Sequence, residues 1–229
     1  MFIKKKSIIG IIKLAGIIST ESRLGSRGGL NLNDLSDSIT KAFSFKNIKA
    51  IVLLVNSPGG SPVQSALIAN RIRDIAKEKE IPVYCFIEDL AASGGYWLSC
   101  AADKIYAMES SIIGSIGVIT SGFGAVEAIK KIGIERRVYS QGKNKGLLDP
   151  FLPEKKDDIK QILTIQKDLH AQFINWVKKR RGKRLQAKDE VLFNAGVWSG
   201  TKAKELGLID GIGDYYNVMK NIFGNEIKF

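Results

Sequence analysis

Two cysteines, five prolines and one histidine in 229 residues exclude several classes of protein at once. Cys85 and Cys100 form neither a CxxC pair nor a Cys/His cluster. A disulfide framework and a structural zinc site therefore lack their residues, and a reducing compartment is the simpler setting. Five prolines against 23 glycines, with no repeat at a fixed period, rule out Pro-rich low complexity and collagen-like chains. Long apolar runs are missing too. Lys4-Lys5-Lys6 followed by Ser7-Ile8-Ile9-Gly10-Ile11-Ile12 imitates the start of a secretory signal, but Lys13 breaks the run. That is short for a signal core and far short of the about 20 residues a spanning helix needs. The expected location is therefore cytoplasmic, or peripheral at the cytoplasmic membrane. Acidic residues are scarce as well: 23 Asp and Glu against 35 Lys and Arg leave a formal charge of +12.

What is present is a core-building composition. Apolar residues make up 45% of the chain, which excludes disorder. The length suits one large domain or two small ones, and no linker divides it. The expectation is a single domain over 1–229, with a basic tail at 1–7 and a basic helical segment at about 154–190. The charge is uneven. Between Lys167 and Lys188 eight cations face one anion, Asp168, so this stretch carries +7 of the total. Such a patch suits nucleic acid, an anionic membrane surface, an acidic partner or water alone.

Two hydrophobic patterns alternate along the chain. The β-branched run 8–12, resuming over 14–18, reads as an opening strand or strand pair, and 32–45 spaces its apolar residues as a helix does. Ala50-Ile51-Val52-Leu53-Leu54-Val55 is wholly apolar, the pattern of a strand covered on both faces. It stops at Asn56-Ser57-Pro58-Gly59-Gly60, a cluster of turn formers. A helix over 65–80, a strand over 82–87 and a helix over 91–101 follow. Residues 154–184 read as one long helix or two, and a final strand and helix fall within 196–221. This order predicts an α/β fold of right-handed βαβ units around a mainly parallel sheet, with a helical C-terminal region. Sites in such sheets lie at the carboxyl ends of strands. Two glycine-rich turns fall there: 57–60 and Ala91-Ala92-Ser93-Gly94-Gly95.

Ser93, flanked by small residues between a strand and a helix, is placed to expose its hydroxyl at the positive end of a helix dipole. The Gly94 N–H is a candidate oxyanion donor, and the Gly59-Gly60 turn offers a second. The plainer alternative is that both turns are only tight connections. A serine nucleophile needs a base. The one histidine, His170, lies far along the chain among helical and basic residues, a poor basis for a Ser-His-Asp triad. A neutral lysine is the other option. Lysine ordinarily titrates near about 10.4, so it must be desolvated or held near positive charge to act.

Four segments in order carry a family resemblance: Asn56 to Gly60; Ala91-Ala92-Ser93-Gly94-Gly95-Tyr96; Ser111-Ile112-Ile113-Gly114-Ser115-Ile116-Gly117-Val118; and Gly196-Val197-Trp198-Ser199-Gly200 with Ala203 and Leu206-Gly207-Leu208-Ile209-Asp210. Each glycine motif alone is weak. Together they resemble the signal peptide peptidase A family of serine proteases, over about residues 8–221. The resemblance implies the spiral α/β fold of the Clp protease and crotonase superfamily, with a serine/lysine dyad and no metal or organic cofactor. The family's nucleophile falls on Ser93. Its base lies in a Gly-x-x-Lys segment matched by Gly142-Lys143-Asn144-Lys145, which puts the base on Lys145 with Lys143 as the rival. The oxyanion donors fall on the Gly60 and Gly94 amides. Ser115 falls on a serine that orients the lysine, the alternative being a simple turn serine.

By that resemblance the substrates are hydrophobic peptides, such as remnant signal peptides and membrane-protein segments. The family assembles as bowl-shaped rings with Ser and Lys contributed across protomer boundaries. Many bacterial members carry an amino-terminal membrane anchor and some are double-length. This chain begins almost at its first strand and holds one copy, so a homo-oligomer is expected. Two other readings remain. A crotonase-type acyl-CoA enzyme shares the two-amide oxyanion hole but uses carboxylates, and Glu88 and Asp89 are the acids near the second turn. A non-catalytic nucleic-acid-binding protein would use the basic tract, yet Phe173 and Trp176, with Leu169, have the spacing of a buried helix face. The tract lies apart from the catalytic motifs. It is expected to dock the oligomer on anionic lipid, or else to form a solvated face.

Overall fold

The computed structural model describes residues 7–20, 29–142 and 144–229. In chain order the elements are β1 (Ser7–Ala15), α1 (Leu32–Ala42), β2 (Ile48–Ser57), α2 (Pro62–Glu78), β3 (Val83–Ala92), α3 (Gly94–Ser99), β4 (Lys104–Ala107) and β5 (Ile112–Gly114). Then follow α4 (Val126–Lys131), α5 (Lys156–Arg181), α6 (Asp189–Leu192), β6 (Val197–Ser199), α7 (Gly200–Glu205), β7 (Gly211–Ile212), α8 (Tyr215–Phe223) and β8 (Ile227–Lys228). The chain divides into two compact units. One comprises residues 1–117 and 173–229, the other 118–172. Among the described residues no helix is long and apolar enough to cross a membrane.

The first unit is built on one sheet in the order β6-β5-β3-β2-β1-β8, with β4 also pairing β3 and β7 pairing β4. The pairs are parallel except β5 with β6. This is the α/β, mainly parallel architecture that the alternating pattern predicts. β2 lies between β1 and β3, which explains its unbroken apolar run. Alternate residues serve opposite faces. Ile51, Leu53 and Val55 join the core with Ile39, Ile68 and Ile72 of α1 and α2. Ala50, Val52 and Leu54 join Ile9, Phe86 and Met219 on the other face, where Tyr215, Phe223 and Phe229 also pack.

Caps set the helix starts. The side chains of Asn31, Ser61, Ser199 and Asp214 accept from the amides of Asp34, Gln64, Lys202 and Asn217. Each such cap contributes about 1 kcal/mol. Two boundaries differ from the sequence pattern. The opening strand runs unbroken over Ser7–Ala15, and β3 continues to Ala92, where a helix from 91 was expected, because Leu90, Ala91 and Ala92 pair with β5. The long C-terminal segment is one helix, α5, followed by a 3₁₀ turn, Gly182–Arg184.

The basic tract has a structural role within the first unit. Arg180 donates to the carbonyls of Cys100, Ala101 and Ala102 and to Asp103, which also pairs with Arg73. Arg181, fully buried, donates to the Gly207 carbonyl and pairs with Asp210 at 2.7 Å. Arg184 reaches Asp210 and the Asp103 carbonyl, and Lys178 pairs with Asp189. Trp176 donates its indole N–H to the Trp97 carbonyl, and Trp97 is flanked by Trp176 and Phe173 with ring centroids at 6.0 and 5.0 Å. Phe173 and Trp176 are thus part of the packing.

Burial pushes the Asp210 carboxyl up. The Arg181 hydrogen bond and charge, the Ile105 amide and the Arg184 charge outweigh it and hold the group below its ordinary 3.8. A depressed folded value gives stability that is present above the unfolded value and lost as pH falls through the folded one. Asp210→Ala leaves Arg181 buried and unpaired and is expected to cost about 3–5 kcal/mol, read as a lowered urea midpoint at neutral pH. Below pH about 3.8 the wild type should lose stability on further acidification, and Asp210→Asn should lose less over the same interval.

Candidate active site

The carboxyl ends of β2 and β3 carry the two glycine turns, and the structure packs these turns against each other. Gly59 has φ +98°, open to glycine and strained for other residues. A Cβ there would stand 2.6 Å from the Gly94 nitrogen and 2.8 Å from the Ser93 Cβ. The Ser57 hydroxyl fixes the first turn by donating to the Gly16 carbonyl at 2.6 Å and accepting from the Gly59 amide at 3.1 Å. Ile18 tethers the other side: its amide donates to the Gly59 carbonyl at 2.9 Å, and its carbonyl accepts from Ser61 at 2.8 Å. By the alternation of a strand, the Gly60 N–H between those two bonds points away from Ile18.

Ser93 occupies the sharp turn between β3 and α3, with φ 52° and ψ −121°, and its side chain makes no capping bond. A non-glycine residue held at positive φ stores strain of about 1–3 kcal/mol and persists only where its surroundings over-determine it. Here the Ser93 amide donates to the Gly114 carbonyl at 2.9 Å, and the Ser93 carbonyl accepts from Tyr96 and Trp97 at 3.0 and 3.1 Å. Gly94 opens α3, where an amide has no intrahelical partner. Among the described residues neither the Gly60 nor the Gly94 amide has an acceptor within the chain. A half-buried hydroxyl thus lies beside two turns that each carry an uncommitted N–H, the arrangement an oxyanion needs. Cys85 and Cys100 are buried, and burial pushes their thiols up to about 12 and about 11, so neither is a competing nucleophile.

The other expected residues are distributed as follows. Ser115 directly follows β5 at φ 53°, half-buried, its amide donating to the Gly196 carbonyl at 2.7 Å. Lys145 belongs to the second unit, exposed on a turn over 144–148, with its amide donating to the Gly142 carbonyl at 3.0 Å. Lys143 lies outside the described residues. His170 sits on α5 in the second unit. Asp89 is exposed on β3 and accepts from the Asn56 amide group at 2.7 Å. Gly59 and Ser57 are site residues that the motifs do not single out. Their signal was the Ser-x-Gly spacing, which lets the serine hydroxyl accept from the amide two residues on.

Comparison with known proteins gives the class. The profile of peptidase family S49 matches residues 75–223, and the chain belongs to that family. It is 46% identical over 220 residues to a protein of Brucella melitensis named Na(+)/H(+) antiporter NhaA, covering 96% of this chain and 30% of that protein. It is 36% identical over 211 residues to a candidate signal peptide peptidase SppA of Enterococcus faecium, 92% of this chain and 60% of that one. Protease 4 of Haemophilus influenzae is 34% identical over 210 residues, 90% of this chain and 33% of that protein. The chain thus spans between 30% and 60% of the length of these relatives, and the antiporter name is that of the longer protein.

Gly59→Ala is expected to cost about 1–3 kcal/mol, because the added methyl must push the Ser93 turn away. Val63→Ala, at an exposed position of α2, should stay within about 0.5 kcal/mol of wild type. Thermal unfolding of both variants checks the difference.

Proposed function

We propose that the chain is a serine endopeptidase that cleaves hydrophobic peptides through an acyl-enzyme. Ser93 is the nucleophile, Lys145 the general base, and the Gly60 and Gly94 amides hold the oxyanion. The observation that carries this reading is the contact of the two glycine turns around Ser93, with both candidate donors uncommitted. Lys145, neutral, takes the Ser93 hydroxyl proton as Oγ attacks the peptide carbonyl. The two N–H groups stabilise the oxyanion, and the lysine then passes its proton to the leaving amine. Water hydrolyses the ester with the same lysine as base. Ser115 orients that lysine. No metal or organic cofactor enters the scheme.

Both units act as one peptidase domain in this proposal, and the working form is a homo-oligomeric ring. Lys145 is exposed on its turn, and a base lysine must leave water to act. The second unit also exposes Ile119, Phe123, Ile132, Ile134 and Tyr139, an apolar population that assembly would cover. Remnant signal peptides and membrane-protein segments are the proposed natural substrates. Peripheral contact with an anionic membrane rests in the first unit on Lys179, Lys183 and Lys188, since the tract's arginines have internal partners.

On a hydrophobic fluorogenic peptide, Ser93→Ala and Lys145→Ala should each lose about 10³-fold or more in kcat while keeping the wild-type circular dichroism, and Lys143→Ala should stay active. Full activity in Ser93→Ala would overturn the nucleophile. Loss in Lys143→Ala alone would move the base two residues. In sedimentation with vesicles, binding to anionic but not neutral liposomes is expected for the membrane contact, and equal binding to both removes it.

A further inference from the structure

The fourth motif, Gly196-Val197-Trp198-Ser199-Gly200, has no role in the proposed chemistry, yet it lies beside β5, the strand whose Gly114 carbonyl accepts from the Ser93 amide. β6 pairs antiparallel with β5, setting Gly114 opposite Val197 and Ile113 opposite Trp198. Three hydrogen bonds run in series from this segment to the nucleophile. The Asn194 Oδ1 accepts from the Gly196 amide at 2.8 Å, the Gly196 carbonyl accepts from the Ser115 amide at 2.7 Å, and the Gly114 carbonyl accepts from the Ser93 amide at 2.9 Å. The second and third bonds lie on either side of a single peptide link, Gly114–Ser115. Moving that link moves both serines.

Packing holds the same link from behind. Gly114 has φ +125°, and a Cβ there would stand 2.7 Å from the Cε3 and Cζ3 atoms of Trp198 and 2.6 Å from the Gly196 carbonyl oxygen. The indole therefore lies against the backbone of Gly114 with no room for a side chain between them. On the far side of Ser115, a Cβ on Gly117 would stand 2.6 Å from the Ala195 Cβ. Residues 194–198 thus follow the backbone of 114–117 closely. Ser93 and Ser115 both sit at positive φ, 52° and 53°, and Ala195 shares that strain at 63°. Strained residues keep such conformations only where neighbouring bonds and packing leave them no other.

We infer that Asn194 and Trp198 are positioning residues for the nucleophile. Trp198 braces the Gly114–Ser115 peptide link and Asn194 fixes the Gly196 peptide that anchors it, so together they set where the Ser93 Oγ stands relative to the oxyanion amides. Neither touches the reacting atoms. The inference rests on the serine-peptidase reading above, and it separates the catalytic work of the third and fourth motifs: one carries Ser115, the other holds its strand in place.

The test uses the full chain and two readouts: the rate at which a fluorophosphonate labels Ser93, and kcat and KM on the fluorogenic peptide, each beside a melting temperature. Asn194→Asp keeps an acceptor for the Gly196 amide and should keep near-wild-type rates. Asn194→Leu removes it, and Trp198→Phe withdraws the part of the indole that meets Gly114. Both should lower labelling and kcat together by about 10- to 100-fold with KM held within about twofold. Equal labelling of wild type and Ser93→Ala would overturn the serine-peptidase reading and this inference with it. Ser93-dependent labelling in wild type that is unchanged in Asn194→Leu and Trp198→Phe, or that falls only in step with the folded fraction, would overturn the inference alone. So would failure of Asn194→Asp to restore the rate in a chain that melts like wild type.

Discussion

The approach of the Gly59 backbone to the Ser93–Gly94 peptide is the contact on which the rest of the site depends. Gly59 stands where any side chain would force the two turns apart. Its position follows from the sheet. β2 and β3 run parallel with Ser57 opposite Ala91, after a register shift that follows Val55, so the two strands end level. Parallel strands that end level deliver their outgoing turns to one edge. The Ser57 hydroxyl and the Ile18 backbone then use up the hydrogen-bonding groups on the near side of the first turn, which leaves the Gly60 N–H facing away. Without the close approach, an uncommitted amide on each turn would be two separate features rather than one site.

Charge is managed at the other end of α3. Arg180 and Arg73 converge on the carbonyls of Cys100, Ala101 and Ala102, which directly follow that helix, and on Asp103, and Arg181 and Arg184 converge on Asp210. Cations at a helix carboxyl end complement its dipole. The same arginines join α5 to the segment 206–210, whose Gly207 carbonyl and Asp210 carboxylate receive Arg181, and Tyr96 of α3 donates its hydroxyl to the Leu208 carbonyl. The charge excess that looks like a docking surface in one dimension is therefore spent in part on holding the helix that follows Ser93.

Much of the scaffold was legible in residue patterns. β2 and α2 stand where their apolar spacing put them, because a doubly covered strand and an amphipathic helix impose strong periods. The misplaced boundary at Ala91 has a clear cause. Ala91-Ala92 favours helix locally, and pairing with β5 overrides that preference. β4, β5 and β7 escaped notice because strands of two to four residues are too short to show a period. Phe173 and Trp176 form the packed helix face that their spacing predicts, but spacing alone does not point to their partner Trp97.

By itself the sequence determined the class of fold, the four ordered motifs and the family, because these depend on residue type and local spacing. The positions of the site residues were of another kind. Whether two glycine turns meet, which way the Gly60 amide points, and that Trp198 packs against the Gly114 backbone of β5 all depend on ladder register between segments far apart in the chain. Register follows from how buried faces fit across the sheet, and a shift of one residue would reverse every amide and side chain along a strand. Local pattern carries no record of that choice, so only the tertiary structure decided it.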